Sequence, residues 1–218
     1  MDGLIKAAWR AFWVGLGASA VLLGHDSHFG HDREGDIEVL SRVADGLGLK
    51  VGDCEPEQRG GKPLSSSLIR EAVLAGDLEE AEAILGRPFA LYGTVVEGEG
   101  RGAKLGIPTA NLELDHELRP PSGVYAVEVA VDGKVYVGGA NLGRRPTFHP
   151  EDGRETAEVH LLDYEGPALN GLALEVRLRA RVRDERKFSG PEELVRQIRT
   201  DLDWIRTAAA TWSSTPRS

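Results

Sequence analysis

The spacing of apolar residues changes close to residue 86, from a helical period to the alternation of a β-strand. In AGDLEEAEAILGRPF, residues 75–89, apolar side chains recur at helical spacing between Asp77, a favourable N-cap, and Gly86, a favourable helix end. From Leu91 onward, apolar and polar residues alternate, as they do in strands with one buried face. The pattern predicts helical structure before this point and β-structure after it.

Two segments of the second half carry the strongest strand signals. VYAVEVAVDGKVYVGG, residues 124–139, alternates on both sides of Asp132 and Gly133, a dipeptide typical of a two-residue hairpin turn. LALEVRLRARV, residues 172–182, alternates just as regularly. It predicts a strand with four aliphatic side chains on one face, namely Leu172, Leu174, Val176 and Leu178.

A final helix follows the predicted strands and completes the domain organisation. SGPE, residues 189–192, has the pattern of a capping box with proline near the helix start, and apolar residues at helical spacing continue to Ile205. The pattern therefore divides the chain into an αβ-type segment, residues 1–86, a β-rich domain, residues 87–207, and a tail, residues 208–218.

An uncharged stretch near the N-terminus allows two interpretations. AFWVGLGASAVLLG, residues 11–24, follows basic residues and contains a small-residue triplet, as a signal peptide does. The apolar run continues past the apparent cleavage point, however, and is short for a membrane span. The favoured interpretation is a helix through Trp9 and Trp13 followed by a buried strand, SAVLL, residues 19–23.

Charge and cysteine content narrow the functional classes. The net charge of −9 and the pI near 5.2 argue against nucleic acid or an anionic membrane as a partner, because both are bound through basic surfaces. The single cysteine, Cys54, can form no internal disulfide. A reducing cytoplasm is the compartment that these features favour.

One stretch of the second half, EGEGRGAKLGIPTAN at residues 97–111, carries candidate chemistry. Its glycines would let the backbone approach phosphate oxygens, although a β-bulge or a hairpin loop also explains glycines at this spacing. Thr109 and Asn111 point the same way on an extended chain, and Pro108 restricts the backbone before them. Oxygen ligands of this kind suit Mg²⁺ bound together with substrate phosphates.

These residues and those that follow resemble riboflavin kinase. GTVVEGEGRGAKLGIPTANLEL, residues 93–114, resembles its ATP-binding opening, whose hallmark is a glycine-rich loop followed by P-T-A-N. Later stretches resemble the family in the same order, so the likeness extends over residues 87–207: SGVYAVEV, GGANLGRRPTF, AEVHLLDYEG and RVRDERKFSGPEELVRQIRTDL. The resemblance implies an α+β chain whose second half is a six-stranded Greek-key β-barrel with a C-terminal helix.

The first half resembles a second module that precedes riboflavin kinase in bacterial bifunctional enzymes. VLLGHDSHFGHDREGDIEVL, residues 21–40, and residues 64–89 resemble the later part of its FAD synthetase module, a Rossmann-like nucleotidyltransferase. The H-x-G-H motif of that module does not occur in the 218 residues. The resemblance thus implies an incomplete, N-terminally truncated module, whose FMN adenylyltransferase activity we expect to be lost. Ser65 to Arg70 resembles its phosphate-contacting helix start, and helix capping by serine explains the same residues.

The resemblance also assigns roles. Glu158 matches the catalytic glutamate, the base for the ribityl hydroxyl of riboflavin, although an isolated strand glutamate can equally face solvent. Thr109 and Asn111 match the residues that bind Mg²⁺ with the ATP phosphates. Two further groups match the loop that covers the phosphates and the stretch beside the flavin: Gly98, Gly100 and Lys104 for ATP, and Arg183, Glu185 and Phe188 for the flavin. RDERK, residues 183–187, can also be a run of charged residues exposed to solvent.

Three functions stay open on the sequence. The leading one is an ATP- and Mg²⁺-dependent riboflavin kinase with riboflavin, FMN, ATP and ADP as its ligands. The second is a bifunctional riboflavin kinase and FMN adenylyltransferase with a misassigned or truncated start. The third is a non-catalytic flavin-binding regulatory module. The sequence does not indicate an oligomeric state.

Overall fold

The computed structural model divides the chain into two compact units, residues 1–64 and residues 65–218. The predicted helix through Trp9 and Trp13 lies outside the described residues. The structure describes residues 15–24, 27–59, 62–98, 100–115, 118–144 and 155–212.

The first unit contains a β-α-β arrangement. Strands β1 (Ala20–Gly24) and β2 (Lys50–Cys54) pair in parallel, and helix α1 (Ile37–Ala44) lies between them in sequence. The side chain of Asp36 caps α1 by accepting a hydrogen bond from the Val39 N–H at 2.9 Å. Parallel strands connected through a helix are the repeating unit of α/β folds, so the predicted αβ character of this segment is confirmed.

Strand β1 forms where SAVLL predicted it, but the prediction that it is buried is wrong. Its residues alternate between exposed and half-buried, and the side chain of Leu22 is 71% exposed. Within the described residues its sheet has two strands, β1 and β2, which leaves β1 little cover. A separate two-stranded sheet pairs β3 (Gln58–Arg59) with β4 (Lys62–Pro63) in antiparallel orientation. An apolar run therefore identified the strand without indicating what would cover it.

Two helices open the second unit. Helix α2 (Ser66–Ala75) begins at Ser65, whose hydroxyl accepts a hydrogen bond from the Leu68 N–H at 3.4 Å. Capping thus accounts for this serine. Helix α3 (Leu78–Leu85) begins at Asp77 and ends at Gly86, which has the left-handed φ of 69° that favours glycine. The helix predicted between Asp77 and Gly86 is confirmed.

Six strands follow, namely β5 (Ala90–Val96), β6 (Ala110–Leu114), β7 (Gly123–Val131), β8 (Lys134–Arg144), β9 (Glu155–Leu161) and β10 (Ala173–Asp184). They form a closed antiparallel barrel with the spatial order β10-β5-β6-β9-β8-β7. This order confirms the predicted six-stranded barrel, in which neighbours in space are not always neighbours in sequence. A short helix, α4 (Arg101–Lys104), lies between β5 and β6, and helix α5 (Pro191–Ala209) follows the barrel.

Alternate residues of these strands fill the barrel interior. Leu91, Leu112 and Val127 are among the side chains that are buried there. Tyr125 is also buried, and its hydroxyl donates a 2.5 Å hydrogen bond to the carbonyl of Pro121. Burial raises the pKa of Tyr125, since its charged form would lose hydration.

The two-residue hairpin between β7 and β8 is confirmed. Asp132 and Gly133 have φ angles of 48° and 79°, the positive values that a type I′ turn requires at both central positions. The turn fixes a continuous register from Val131 opposite Lys134 to Gly123 opposite Leu142. This register places the outer-face residues of β8 beside those of β7.

Strand β10 differs from its prediction at both ends of the regular stretch. Leu174, Val176 and Leu178 share the buried face as predicted, but Leu172 precedes the strand and is 43% exposed. The register with β7 shifts after Leu178, so the simple alternation ends there.

Helix α5 starts differently from the predicted capping box. Its N-cap is Gly190, and the backbone N–H and hydroxyl of Ser189 both donate to Glu193, at 2.9 and 2.7 Å. These hydrogen bonds lower the pKa of Glu193. The acidic partner of Ser189 is thus Glu193 and not Glu192, because Pro191 begins the helix one residue later than the box pattern implies.

Arg179 lies where α3, β7, β10 and the residues after α5 meet. Its guanidinium is 3.4 Å from Glu82 and 3.9 Å from Glu128, and it lies 5.3 Å from the ring centre of Trp212. Helix α5 continues to Ala209, and residues 213–218 lie outside the described residues. Trp212, which lies in the predicted tail, therefore contacts Arg179 of the barrel.

Candidate active site

A cleft of about 690 Å³ lies on the outside of the barrel. One wall consists of outward-facing residues of β6, β8 and β9, and the opposite wall is formed by helix α5 and the segment before it. Leu202 and Ile205 of α5 approach Gly139 of β8 so closely that a Cβ at Gly139 would lie 3.2 Å from the Cδ1 of Ile205. Glycine at this position therefore allows the helix to close one side of the cleft.

A row of side chains crosses this outer face from strand to strand. Asn111 of β6 is opposite Glu158 of β9, and Glu158 is opposite Asn141 of β8. The row continues from Asn141 to Val124 of β7 and from Val124 to Arg183 of β10. Residues directly opposite each other on paired strands point to the same face. An adjacent residue on each of β6, β9, β8 and β7 points the other way and is buried inside the barrel: Leu112, Ala157, Leu142 and Tyr125.

Two glycines pack against the Thr109 and Asn111 pair. A Cβ at Gly98 would overlap the carboxamide of Asn111, and a Cβ at Gly102 would lie 3.0 Å from the hydroxyl of Thr109 and overlap the carbonyl of Ile107. Both close approaches require glycine. The glycine-rich loop thus wraps around the hydroxyl and the carboxamide, two oxygen donors of the kind that hard divalent cations prefer.

His160 connects strand β9 to the start of this segment. Its Nδ1 is 2.7 Å from the carbonyl oxygen of Pro108. A carbonyl can only accept a hydrogen bond, so Nδ1 carries the proton. The bond fixes the segment that bears Thr109 relative to the strand that bears Glu158.

A charged cluster forms the far end of the cleft. The Nε of Arg183 donates to the buried carboxylate of Asp201 at 2.8 Å, and the Gln197 side chain donates to the other oxygen of Asp201 at 2.6 Å. The Phe188 ring lies 5.5 Å from the guanidinium of Arg183 and 4.8 Å from that of Arg186. The pair between Arg183 and Asp201 thereby joins helix α5 to the end of strand β10 through a hydrogen-bonded charge.

Most of the predicted site residues lie around this one cleft. Gly98 packs against Asn111, as described, without lining the cleft wall. Lys104 is exposed on α4 and is not part of the lining. Glu185 lies against Gly143, where a Cβ would be 2.8 Å from its carboxylate. Seven predicted residues line the cleft: Gly100, Thr109, Asn111, Glu158, Arg183, Glu185 and Phe188.

Sequence reasoning missed four polar or charged residues of the cleft. Asn141, His160, Arg186 and Asp201 line it but were not predicted. The alternation of GGANLG gave a usable signal for Asn141, because Ala140 and Leu142 on either side are apolar. No local pattern distinguished Asp201 from the other acidic residues of α5.

Residues 85–209, more than half of the chain, match the riboflavin kinase family, also called flavokinase. The chain belongs to the riboflavin kinase family. Its match begins just before β5 and ends at the last residue of α5, and so covers the barrel and every residue of the cleft.

Longer relatives are similar to both units of this riboflavin kinase family member. A bifunctional riboflavin kinase/FMN adenylyltransferase of Pseudomonas fluorescens is 39% identical over 90% of this chain, which covers 62% of that protein. One from Bacillus subtilis is 37% identical over 86% of this chain and is 60% covered. The chain thus spans about three fifths of the length of these curated relatives.

A solved structure resembles nearly the whole chain. The crystal structure of a protein described as a macrolide-efflux protein from Streptococcus pneumoniae is 32% identical, with a TM-score of 0.76. It covers 94% of this chain, which spans 65% of that one. In the part of this chain that the structure describes, no helix is long and apolar enough to cross a membrane.

Proposed function

We propose that this chain is a riboflavin kinase, which transfers the terminal phosphoryl group of ATP to the 5′-hydroxyl of riboflavin. The O5′–Pγ bond forms while the bond from Pγ to the β,γ-bridging oxygen breaks, and the products are FMN and ADP. The hydroxyl proton passes to the carboxylate of Glu158. Family membership and the polar row across β6, β9 and β8 support this proposal.

The observation that carries the proposal is the position of Glu158 between two different ends of the cleft. On one side lie Asn111, Thr109 and the glycines that pack against them. On the other side the row continues toward Arg183 and the segment that bears Phe188. A base at this position can receive a proton from a hydroxyl that reaches it from the second side while a phosphate approaches from the first.

Mg²⁺ is the cation that we propose for the first side of the cleft. Thr109 and Asn111 supply hard oxygen donors, and their side chains make no hydrogen bond among the described residues. Because Gly98 and Gly102 have no side chains, the loop can lie directly against both groups. When bound, Mg²⁺ neutralises phosphate charge, while the chain itself orients the phosphates through the loop that ends at Thr109.

Glu158→Gln provides the test of the proposed role. General-base assistance contributes roughly 10²–10⁴-fold to rate, so we expect kcat to fall by at least about a hundredfold while riboflavin binding changes little. Chromatography of FMN formed from riboflavin, ATP and Mg²⁺ measures the first quantity, and quenching of riboflavin fluorescence measures the second. Glu165→Gln, which removes an exposed carboxylate outside the cleft, is the matched control and should retain full activity. Equal losses of binding and turnover in Glu158→Gln would contradict the assignment.

Three further expectations belong to the proposed function. The ligands are riboflavin, FMN, ATP and ADP, not nucleic acid, and the location is the cytoplasm, in keeping with the acidic composition and the single cysteine. That the 218-residue chain makes no FAD from FMN and ATP stays a prediction. Steady FAD synthesis by the purified chain would overturn it.

A further inference from the structure

Asn141 is a polar residue of the cleft that has no role in the reaction as proposed above. It is half-buried, lines the cleft, and makes no side-chain hydrogen bond among the described residues. A carboxamide offers two donors and an acceptor, and proteins usually pair such groups when they leave water. Its neighbours Ala140 and Leu142 are buried in the barrel, so the register requires Asn141 to face the cleft.

Asn141 lies beside Glu158 on the side away from Asn111. Neighbouring strands are about 4.8 Å apart, which places the backbone of Asn141 roughly 5 Å from Glu158 and about 10 Å from Asn111. The next position of the row is Val124, and the one after it is Arg183. A ligand that extends from Glu158 toward the cluster around Arg183 therefore has to pass Asn141.

Asn141 is the polar side chain that strand β8 contributes to the cleft. The residues two positions away on the same face are Gly139, against which Leu202 and Ile205 pack, and Gly143, against which Glu185 packs. Asn141 is thus the single side chain that β8 presents between them. A carboxamide suits a flexible chain of hydroxyl groups, since it can donate to one hydroxyl and accept from the next.

We propose that Asn141 binds the hydroxyl groups of the acceptor's polyol chain next to the hydroxyl that reacts. This inference rests on the proposed function, because it assigns Glu158 to the reacting hydroxyl and the side of Asn111 to the phosphate donor. Asn141 then orients the acceptor so that one hydroxyl reaches Glu158, and the ring system of the flavin lies farther along the row toward Arg183.

The test compares two flavins that differ in the chain that Asn141 is proposed to bind. Riboflavin carries the polyol, whereas lumiflavin has the same ring system with a methyl group in its place. Fluorescence quenching measures the binding of each flavin to the full chain, with and without the Asn141→Ala substitution. Loss of one or two hydrogen bonds should weaken riboflavin binding about tenfold and leave lumiflavin binding within twofold of the unsubstituted chain.

Asn111→Ala is the matched control, since it removes the same carboxamide from the other side of Glu158. It should impair the use of Mg²⁺ and ATP and leave riboflavin binding within twofold. The thermal midpoint of each variant shows that it is folded. Failure of the unsubstituted chain to form FMN would overturn the proposed function, and the binding comparison would still report on Asn141 by itself.

Three outcomes would overturn the role of Asn141. Riboflavin and lumiflavin binding could weaken equally, which would indicate a general change in the cleft. Riboflavin binding could stay within twofold. Turnover could fall while both affinities stay unchanged, which would mean that Asn141 acts on Glu158 and not on the polyol.

Discussion

At the scale of single residues, the chemistry depends on which side chains share the outer face of the barrel. Glu158 was identified in the sequence because its stretch resembles the family and its apolar neighbours, Ala157 and Val159, alternate with it. Asn141 was missed because its importance comes from the register between β8 and β9, which pairs residues 17 positions apart in sequence. Local patterns indicate the face of a strand, whereas the partner across the face depends on turns and barrel closure.

His160 gives a prediction at this scale. His160→Ala removes the hydrogen bond to the Pro108 carbonyl, so the segment that bears Thr109 should be held less firmly against β9. We expect the KM for MgATP to rise several-fold, with a smaller change in riboflavin binding. In His160→Asn the side-chain N–H can replace Nδ1–H and should restore most of the loss. Steady-state kinetics with each substrate varied in turn measures the split. An Asn variant as impaired as the Ala variant would contradict this role.

At the scale of elements, the hairpin, the strand alternation and the helix between Asp77 and Gly86 followed from local signals. The start of α5 and the end of regular pairing in β10 did not. Ser189 bonds to Glu193 because Pro191 sets the first helical turn, and the register of β10 shifts after Leu178 as the strand continues around the barrel. The first detail depends on which of two adjacent residues becomes the N-cap, and the capping pattern leaves this open. The second depends on tertiary packing that a single segment does not encode.

Gly102 gives a prediction for the loop between β5 and β6. In Gly102→Ala the new Cβ would overlap the Ile107 carbonyl and crowd the Thr109 hydroxyl, so the loop has to move away from Thr109. Use of MgATP should fall at least tenfold while riboflavin binding is retained. Gly190→Ala is the control, because nothing lies within 4 Å of the added Cβ. Unchanged kinetics in Gly102→Ala would show that the close approach does not matter.

The ion pair between Arg206 and Asp163 predicts a pH effect on α5. Two hydrogen bonds of 2.7 and 3.0 Å join the helix to the turn after β9, and the bonds from Arg206 lower the pKa of Asp163. A lowered pKa contributes stability above the unfolded pKa of about 3.9, and this is lost as pH falls through the folded value.

Arg206→Gln should therefore reduce the free energy of unfolding slightly near pH 7, because the pair is exposed. The difference from the unsubstituted chain should shrink below about pH 4. Urea unfolding across a pH series measures it. A difference that stays constant down to pH 2 would contradict the assignment to this pair.

At the scale of the molecule, the barrel and its helix were predictable, whereas the surroundings of β1 were not. The family match and the barrel order agree with the period-two pattern of the second half. The exposure of Leu22 depends on the elements that lie beside β1, and the sequence of the strand carries no information about them. Both halves of the cleft, in contrast, lie within residues 100–205 and fold as parts of one unit.

The central claim is that the cleft beside Glu158 phosphorylates riboflavin. The most direct measurement incubates the purified chain with riboflavin, ATP and Mg²⁺ and quantifies flavins and nucleotides by chromatography. The account predicts FMN and ADP in equal amounts, with formation that requires the metal and is abolished by chelation. A folded chain that binds riboflavin but forms no FMN under these conditions would contradict it.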